Sequence, residues 1–255
     1  MGLTVILITL NEEQRLRACL SSLPRNCEIV VVDSGSTDRT VALAKEYDAK
    51  VVQRTFTNFA DQKNYAIGLA TQPWILAIDA DEVLHPDLRN AIESIVLNQK
   101  NGTKHAAYRL RRKLVFMDRL MNFGKTNDQP IRLFCRSKAL FENPIHERLK
   151  VAGIVGKVRK GFIFHHSYRN LEDYFSRFNR YTSRIAEEHW RAGKGASVAH
   201  IMVRPWFEFL YRYIVRLGFL DGYPGYIYAL NSSLYTLTKY AKTRELARSG
   251  GHPPP

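Results

Sequence analysis

Acid is what this chain is short of. It sets 24 Asp and Glu against 38 Lys and Arg, a formal net charge of +14 at pH 7. A surplus of that size calls for an anionic partner: nucleic acid, a membrane surface or a phosphorylated substrate. Cysteine is also scarce. Cys19, Cys27 and Cys135 are the whole set, and their spacing fits neither a disulfide scaffold nor a metal or redox motif. No run approaches the ~20 apolar residues of a spanning helix, so no transmembrane helix is expected. The apolar stretch Leu3–Leu10 has no basic n-region and no small-residue cleavage site, so no signal peptide is expected. Neither GxGxxG nor GxxxxGK[ST] occurs, which removes the dinucleotide and P-loop fingerprints. There is no internal repeat.

What is present is an alternation. Thr4–Leu10 is a continuous apolar run, the mark of a strand covered on both faces. Leu16, Cys19, Leu20 and Leu23 follow at helical spacing, and Pro24 ends that helix. Glu28–Val32 reads as a second strand, followed by the polar turn Asp33–Thr40, whose Ser36, Thr37 and Asp38 can cap the next helix. Val41, Ala44 and Tyr47 mark the next helix. A strand over Ala49–Arg54, a short helix over Asp61–Ala70, a strand over Trp74–Ile78 and a helix over Pro86–Leu97 complete a βαβ series. The expected fold class is α/β, with a mainly parallel sheet flanked by helices. Ligands in such folds bind beyond the carboxyl ends of the strands. Three such ends carry Thr9-Leu10-Asn11-Glu12, Asp33-Ser34-Gly35-Ser36 and Asp79-Ala80-Asp81-Glu82. The acid-x-acid step Asp79–Asp81 offers hard oxygen ligands of the kind that hold Mg²⁺ or Mn²⁺ against a diphosphate.

Further strands are expected over Ala106–Val115 and Ile131–Phe134, with the loop Phe116–Pro130 between them. From Asn170 the texture changes. Tyr174, Phe178, Tyr181 and Ile185 form one helical stripe, and Trp206, Leu210, Tyr213 and Leu217 a second, with Arg204, Arg212 and Arg216 beside it. Aromatics with a basic flank suit a helix lying in a membrane interface, and equally a helix packed on a core. Asn231–Tyr240 suggests one more helix, and 249–255 a disordered tail.

In order and spacing, ILITLNEE, VVDSGSTDRT, DQKNYA and ILAIDADE resemble the family 2 glycosyltransferases of GT-A fold. The later segments RLF, IHERL, HHSY, LEDY and GFLDGYPG look like the branch of lipopolysaccharide-core β-1,4-glucosyltransferases of the WaaE (KdtX) type. The resemblance implies a GT-A nucleotide-diphospho-sugar transferase domain over 1–168. Residues 1–100 would form its nucleotide-sugar half and 101–168 its acceptor half. An amphipathic, membrane-associating helical extension over 169–248 would follow.

The resemblance also implies roles for single residues. Thr9, Asn11 and Glu12 would lie against the nucleoside, and Asp33 would accept from uracil, with Ser34, Gly35 and Ser36 shaping that pocket. Lys63 would sit near the diphosphate or ribose. Asp79 would bond the ribose or a metal-bound water, beside Ala80, and Asp81 would ligate Mg²⁺ or Mn²⁺. His165 would complete the metal or phosphate site, with His166 as the alternative. An inverting transfer needs a carboxylate base for the acceptor hydroxyl; Glu147 is the first candidate and Asp128 the second, with Glu142 behind them. The expected donor is UDP-glucose and the expected acceptor a lipid A–core glycolipid ending in inner-core heptose. The protein is then expected in the cytoplasm, held peripherally at the anionic inner-membrane surface. No DNA or RNA module is present, so nucleic acid is not an expected partner.

Overall fold

The computed structural model describes residues 2–98, 104–142 and 148–249. Its elements in chain order are β1 (Leu3–Thr9), α1 (Glu13–Ser22), β2 (Glu28–Asp33), α2 (Thr40–Glu46), β3 (Lys50–Gln53) and α3 (Phe59–Leu69). Then come β4 (Trp74–Ala77), β5 (Glu82–Leu84), α4 (Pro86–Leu97), β6 (His105–Arg109), β7 (Arg112–Phe116), β8 (Arg119–Leu120), β9 (Asn127–Asp128) and β10 (Ile131–Cys135). The last are β11 (Ala139–Glu142), β12 (Arg148–Val151), β13 (Ile154–Lys157), β14 (Ile163–His165), α5 (Leu171–Arg191), α6 (Val198–Leu210) and α7 (Gly222–Arg248). The expected tail from 250 onward lies outside the described residues.

The chain divides into two compact units. The first holds residues 1–113 and 128–165, the second 114–127 and 166–255.

In the first unit a mixed sheet runs in the order β13-β6-β10-β4-β1-β2-β3. β1 pairs in parallel with β2 and β4, and β2 with β3. The fourth strand's other neighbour, β10, is antiparallel, which makes the sheet mixed. Alternation along β1 explains its packing: Leu3, Val5 and Leu7 join the core under α1 and α4, and Ile6 joins the one under α3. Trp74 and Leu76 against Ile75 and Ala77 divide β4 in the same way. Both faces are covered, so the sequence shows unbroken apolar runs. The run expected as one strand over Ala106–Val115 is two, broken at Leu110 and Arg111, where Leu110 N bonds Pro130 O.

The second unit takes in Leu114–Asn127 for a visible reason. Leu114, Phe116, Met121 and Tyr174 form a cluster of their own with Tyr168, Phe178, Ile227 and Tyr228. The carboxylate of Asp221 accepts the backbone N–H of Asn122 and of Phe123. Gly225 is required where it stands, since a Cβ there would come within 2.0 Å of Gly218 O. α5 buries Tyr174, Thr182 and Ala186 rather than the full expected stripe, and Tyr181 is exposed. Against α5, the Lys242 ammonium of α7 donates to Asn179 O and Oδ1, Thr182 Oγ1 and Ser183 Oγ, at 2.6–3.1 Å. Of α6 only Pro205 is buried; its carbonyl accepts from Ser233 Oγ of α7. No described helix is long and apolar enough to cross a membrane.

Candidate active site

Parallel pairing of β1, β2 and β4 sends the turns that follow them out of one edge of the sheet. The first two turns are laced together. Asn11, at φ +55°, accepts through Oδ1 from Thr37 N at 2.9 Å, and its own N–H reaches Ser36 Oγ at 2.9 Å. Glu12 N donates to Thr40 Oγ1 at 2.7 Å. Asp33 is fully buried, and its carboxylate accepts from Thr9 Oγ1 (2.9 Å), Gly35 N (3.0 Å), Ser36 N (2.8 Å) and Ser36 Oγ (2.5 Å). Those four bonds fill the roughly four acceptor sites of a carboxylate. A base N–H reaching Asp33 would have to displace one of them. Asp38 is not the helix cap expected of it: the N-cap of α2 is Arg39 without a side-chain bond, and the Asp38 carboxylate accepts from Thr40 N at 2.9 Å and Glu13 N at 3.2 Å.

In α3 the DQKN segment sends each polar side chain to a different anchor. Asp61 pairs with Arg54, Gln62 donates to Ser34 Oγ, and the Asn64 amide exchanges two bonds with the Phe141 backbone. Lys63 is buried, its ammonium 3.4 Å from Asp79 Oδ1.

The acids after β4 do not point into bare solvent. Asp79 Oδ2 lies 2.5 Å from Arg132, which is equally close to Glu82 Oε1. Glu82 has no exposed surface and also takes Arg112 at 2.9 Å and the Asp79 N–H at 3.1 Å. Arg112 then grips Asp128 through Nε at 2.9 Å and Nη2 at 2.6 Å, so both oxygens of this base candidate are occupied. On the other side Arg15 pairs with Glu12 at 2.6 Å and stands 3.8 Å from Asp81 Oδ2. His165 Nε2 comes within 3.6 Å of the same oxygen, because β14 pairs with β5 so that His165 faces Glu82. His166 belongs to the other unit. Glu147, the first base candidate, lies outside the described residues.

Electrostatics follow from this clustering. Burial works to raise the Asp79 carboxyl, but Arg132 and Lys63 outweigh it and hold it well below the usual carboxylate range. Burial works to lower the Arg132 guanidinium, but Asp79 and Glu82 hold it above its ordinary value. Cys19, buried beneath the acids, has its thiol pushed well up by desolvation and then by Glu82, Asp81 and Asp79. It is therefore no nucleophile. Among the described residues no group of three or more His, Cys, Asp or Glu is set to hold a metal. Asp81 Oδ2 and His165 Nε2, 3.6 Å apart, are two groups of the kinds that ligate cations, fewer than a closed metal site needs.

Against known families, residues 4–145 match the model of glycosyl transferase family 2. The chain belongs to that family. The lipopolysaccharide core biosynthesis glycosyltransferase LpsC of Rhizobium meliloti is 30% identical, over 95% of this chain and 92% of its own. An uncharacterized glycosyltransferase of Rickettsia typhi is 28% identical, over 96% of this chain and 87% of its own. A crystal structure of S. aureus TarS 1-349 superposes with a TM-score of 0.47 and 14% identity, covering 98% of this chain and 92% of that one. This family 2 member has a mixed sheet flanked by helices, followed in the chain by a helical region.

Sequence reasoning placed Glu82 at the crevice, as the third acid after β4, but gave it no role, and it placed neither Arg15 nor Arg112 there. The two arginines carried no signal, being two basic residues among 38.

Proposed function

We propose that this glycosyltransferase moves glucose from UDP-glucose, with inversion, onto an inner-core heptose of a lipopolysaccharide acceptor. The supporting observation is the convergence of Asp81 and His165, 3.6 Å apart, at acids that Lys63 of α3, Arg15 of α1 and Arg132 of β10 also reach. Asp81 and His165 would hold Mg²⁺ or Mn²⁺, which when bound neutralises charge growing on the leaving diphosphate. Lys63 and Arg132, now paired with Asp79, supply fixed positive charge beside that diphosphate. The Asp33 turn, closed by its four internal bonds, shapes the nucleoside pocket, with Thr9, Asn11 and Glu12 along its wall. Glu147 takes the acceptor hydroxyl's proton in this reading, because Asp128 is held by Arg112 through both oxygens. The acceptor is argued from the kinship with LpsC.

The reading also puts the protein peripherally on the anionic face of the inner membrane. The second unit exposes Met202, Val203, Trp206, Phe207 and Val215, each at 63–70%. Basic side chains beside such a face add roughly 1 kcal/mol each near an anionic bilayer. The decisive experiment is UDP release with Mn²⁺ or Mg²⁺, running a panel of UDP-sugars against truncated lipopolysaccharide ending in inner-core heptose. Release that needs both UDP-glucose and the heptose acceptor is expected. Release with a different acceptor, and none with this one, would retire the lipopolysaccharide assignment.

A further inference from the structure

The second unit holds a cavity of about 320 Å³ that the transfer chemistry above does not use. Its lining is part aromatic (Phe116, Tyr168, Tyr223) and part polar (Asp118, His166, Arg169). Asp118 is presented by an unusual turn. β7 and β8 are joined by two residues, Met117 and Asp118, with φ +50° and +59°. Tight hairpins of this kind normally use Asn-Gly. Met117 packs against the cluster of Leu114, Phe116, Met121 and Tyr174, which holds the turn and leaves Asp118 exposed. Among the described residues the Asp118 carboxylate has no hydrogen-bond or ion-pair partner. Tyr223 is 58% exposed although it lines the cavity.

The chemistry selects the ligand. A phosphate would meet the Asp118 carboxylate, and an alkyl chain would meet two charged groups. A sugar ring suits both halves of the wall. Its hydroxyls donate to a carboxylate and accept from a guanidinium or imidazole, and its C–H face lies on an aromatic ring. The volume sits at the low end for ligand pockets, which suits one ring rather than an oligosaccharide. We propose that this cavity binds one neutral pyranose ring of the acceptor, as a saccharide subsite of the second unit. The inference rests on the acceptor being a saccharide, as proposed above.

Saturation-transfer NMR on the full chain, with methyl α-D-mannopyranoside and methyl β-D-glucopyranoside as probes, tests it. Both Asp118→Gly, at a φ that glycine tolerates, and the exposed Tyr223→Ala should weaken the transferred signal several-fold. Asp81→Asn should leave it intact. No signal with the unaltered chain, or equal signal in all three variants, overturns the proposal. In the UDP-release assay Tyr223→Ala should raise the acceptor KM with little change in kcat; an unchanged KM removes the cavity from acceptor binding. Glycoside binding that persists while lipopolysaccharide fails as acceptor sinks the acceptor assignment alone. Transfer to lipopolysaccharide without glycoside binding sinks the cavity alone.

Discussion

The two units handle charge and apolar surface in opposite ways. The first buries Asp33, Lys63, Glu82 and Arg132 and gives each carboxylate several donors. Its apolar side chains are mostly interior, divided between two clusters on the faces of one sheet. The second unit puts small polar groups in its seam, Ser232, Ser233, Thr236 and Thr243 of α7, and leaves Trp206, Phe207 and Val215 outside. A buried charge network holds a fixed arrangement of side chains, which a transfer site needs. A large exposed apolar face has no such use and marks an interaction surface. Under the proposed function, chemistry falls to the first unit, and attachment and acceptor contact to the second.

The largest expected effect falls on the buried network. Glu82→Gln leaves two guanidiniums without their shared carboxylate, and breaking a buried pair costs about 3–5 kcal/mol. Urea unfolding should show that loss, and a shift under 1 kcal/mol would show that Arg132 repairs itself with Asp79 alone. The same network has a pH signature. Asp79 is held below its unfolded value, so its contribution is complete above the ordinary carboxylate pKa of about 3.9 and drains away as pH falls below it. Melting followed through that acid range should therefore fall less steeply in Asp79→Asn than in the unaltered chain.

Next comes the residue that should separate activity from stability. Asp81 is 16% exposed at its side chain, and His165 and Arg15 stand 3.6 and 3.8 Å from it, so its neutralisation disturbs little of the fold. Asp81→Asn should cut transfer ~100-fold, about 3 kcal/mol, while the melting temperature stays near that of the unaltered chain. Undiminished metal-dependent turnover would take Asp81 out of the site.

The same contrast explains what could be read in the chain beforehand. The first unit was legible because apolar strands end abruptly in polar turns: Trp74–Ile78 stops at Asp79, and β2 stops at Asp33. Partners were not legible. That Arg112 ties Glu82 to Asp128 depends on residues 30 and 16 positions apart meeting through the sheet, and that Asp33 is filled by Gly35 and Ser36 depends on the exact path of its own turn. In the second unit α7 begins at Gly222, nine residues before the Asn231 expected from periodicity. Gly222-Tyr-Pro-Gly reads as a turn, and the buried seam of Asn231, Ser232, Ser233 and Thr236 has no apolar rhythm to follow. Small polar residues were chosen there by close helix packing, which leaves no period in a hydropathy pattern.

That polar seam predicts a moderate effect. Lys242→Met removes the ammonium that four oxygens of α5 share. Thr182 and Ser183 keep their own backbone bonds, so the loss should be about 1–2 kcal/mol, the scale of a few charged hydrogen bonds less their hydration. Thermal unfolding followed by the helical signal would measure it, and a larger drop would mean that the α5–α7 seam has little else holding it.

The smallest expected effect on stability is also the sharpest test of the comparison. Trp206 and Phe207 are 70% and 67% exposed on a helix whose only buried residue is Pro205. Replacing both by Ser removes little buried surface and should move stability by no more than about 0.5 kcal/mol. If their face meets lipid, co-sedimentation with anionic vesicles should fall sharply while UDP release in detergent stays intact. Binding that survives the double change, with the fold also unaltered, would detach the exposed face from the membrane and leave basic charge alone to account for attachment. A large loss of stability would instead mean that these side chains are core, and the contrast between the two units would disappear at the place where it is strongest.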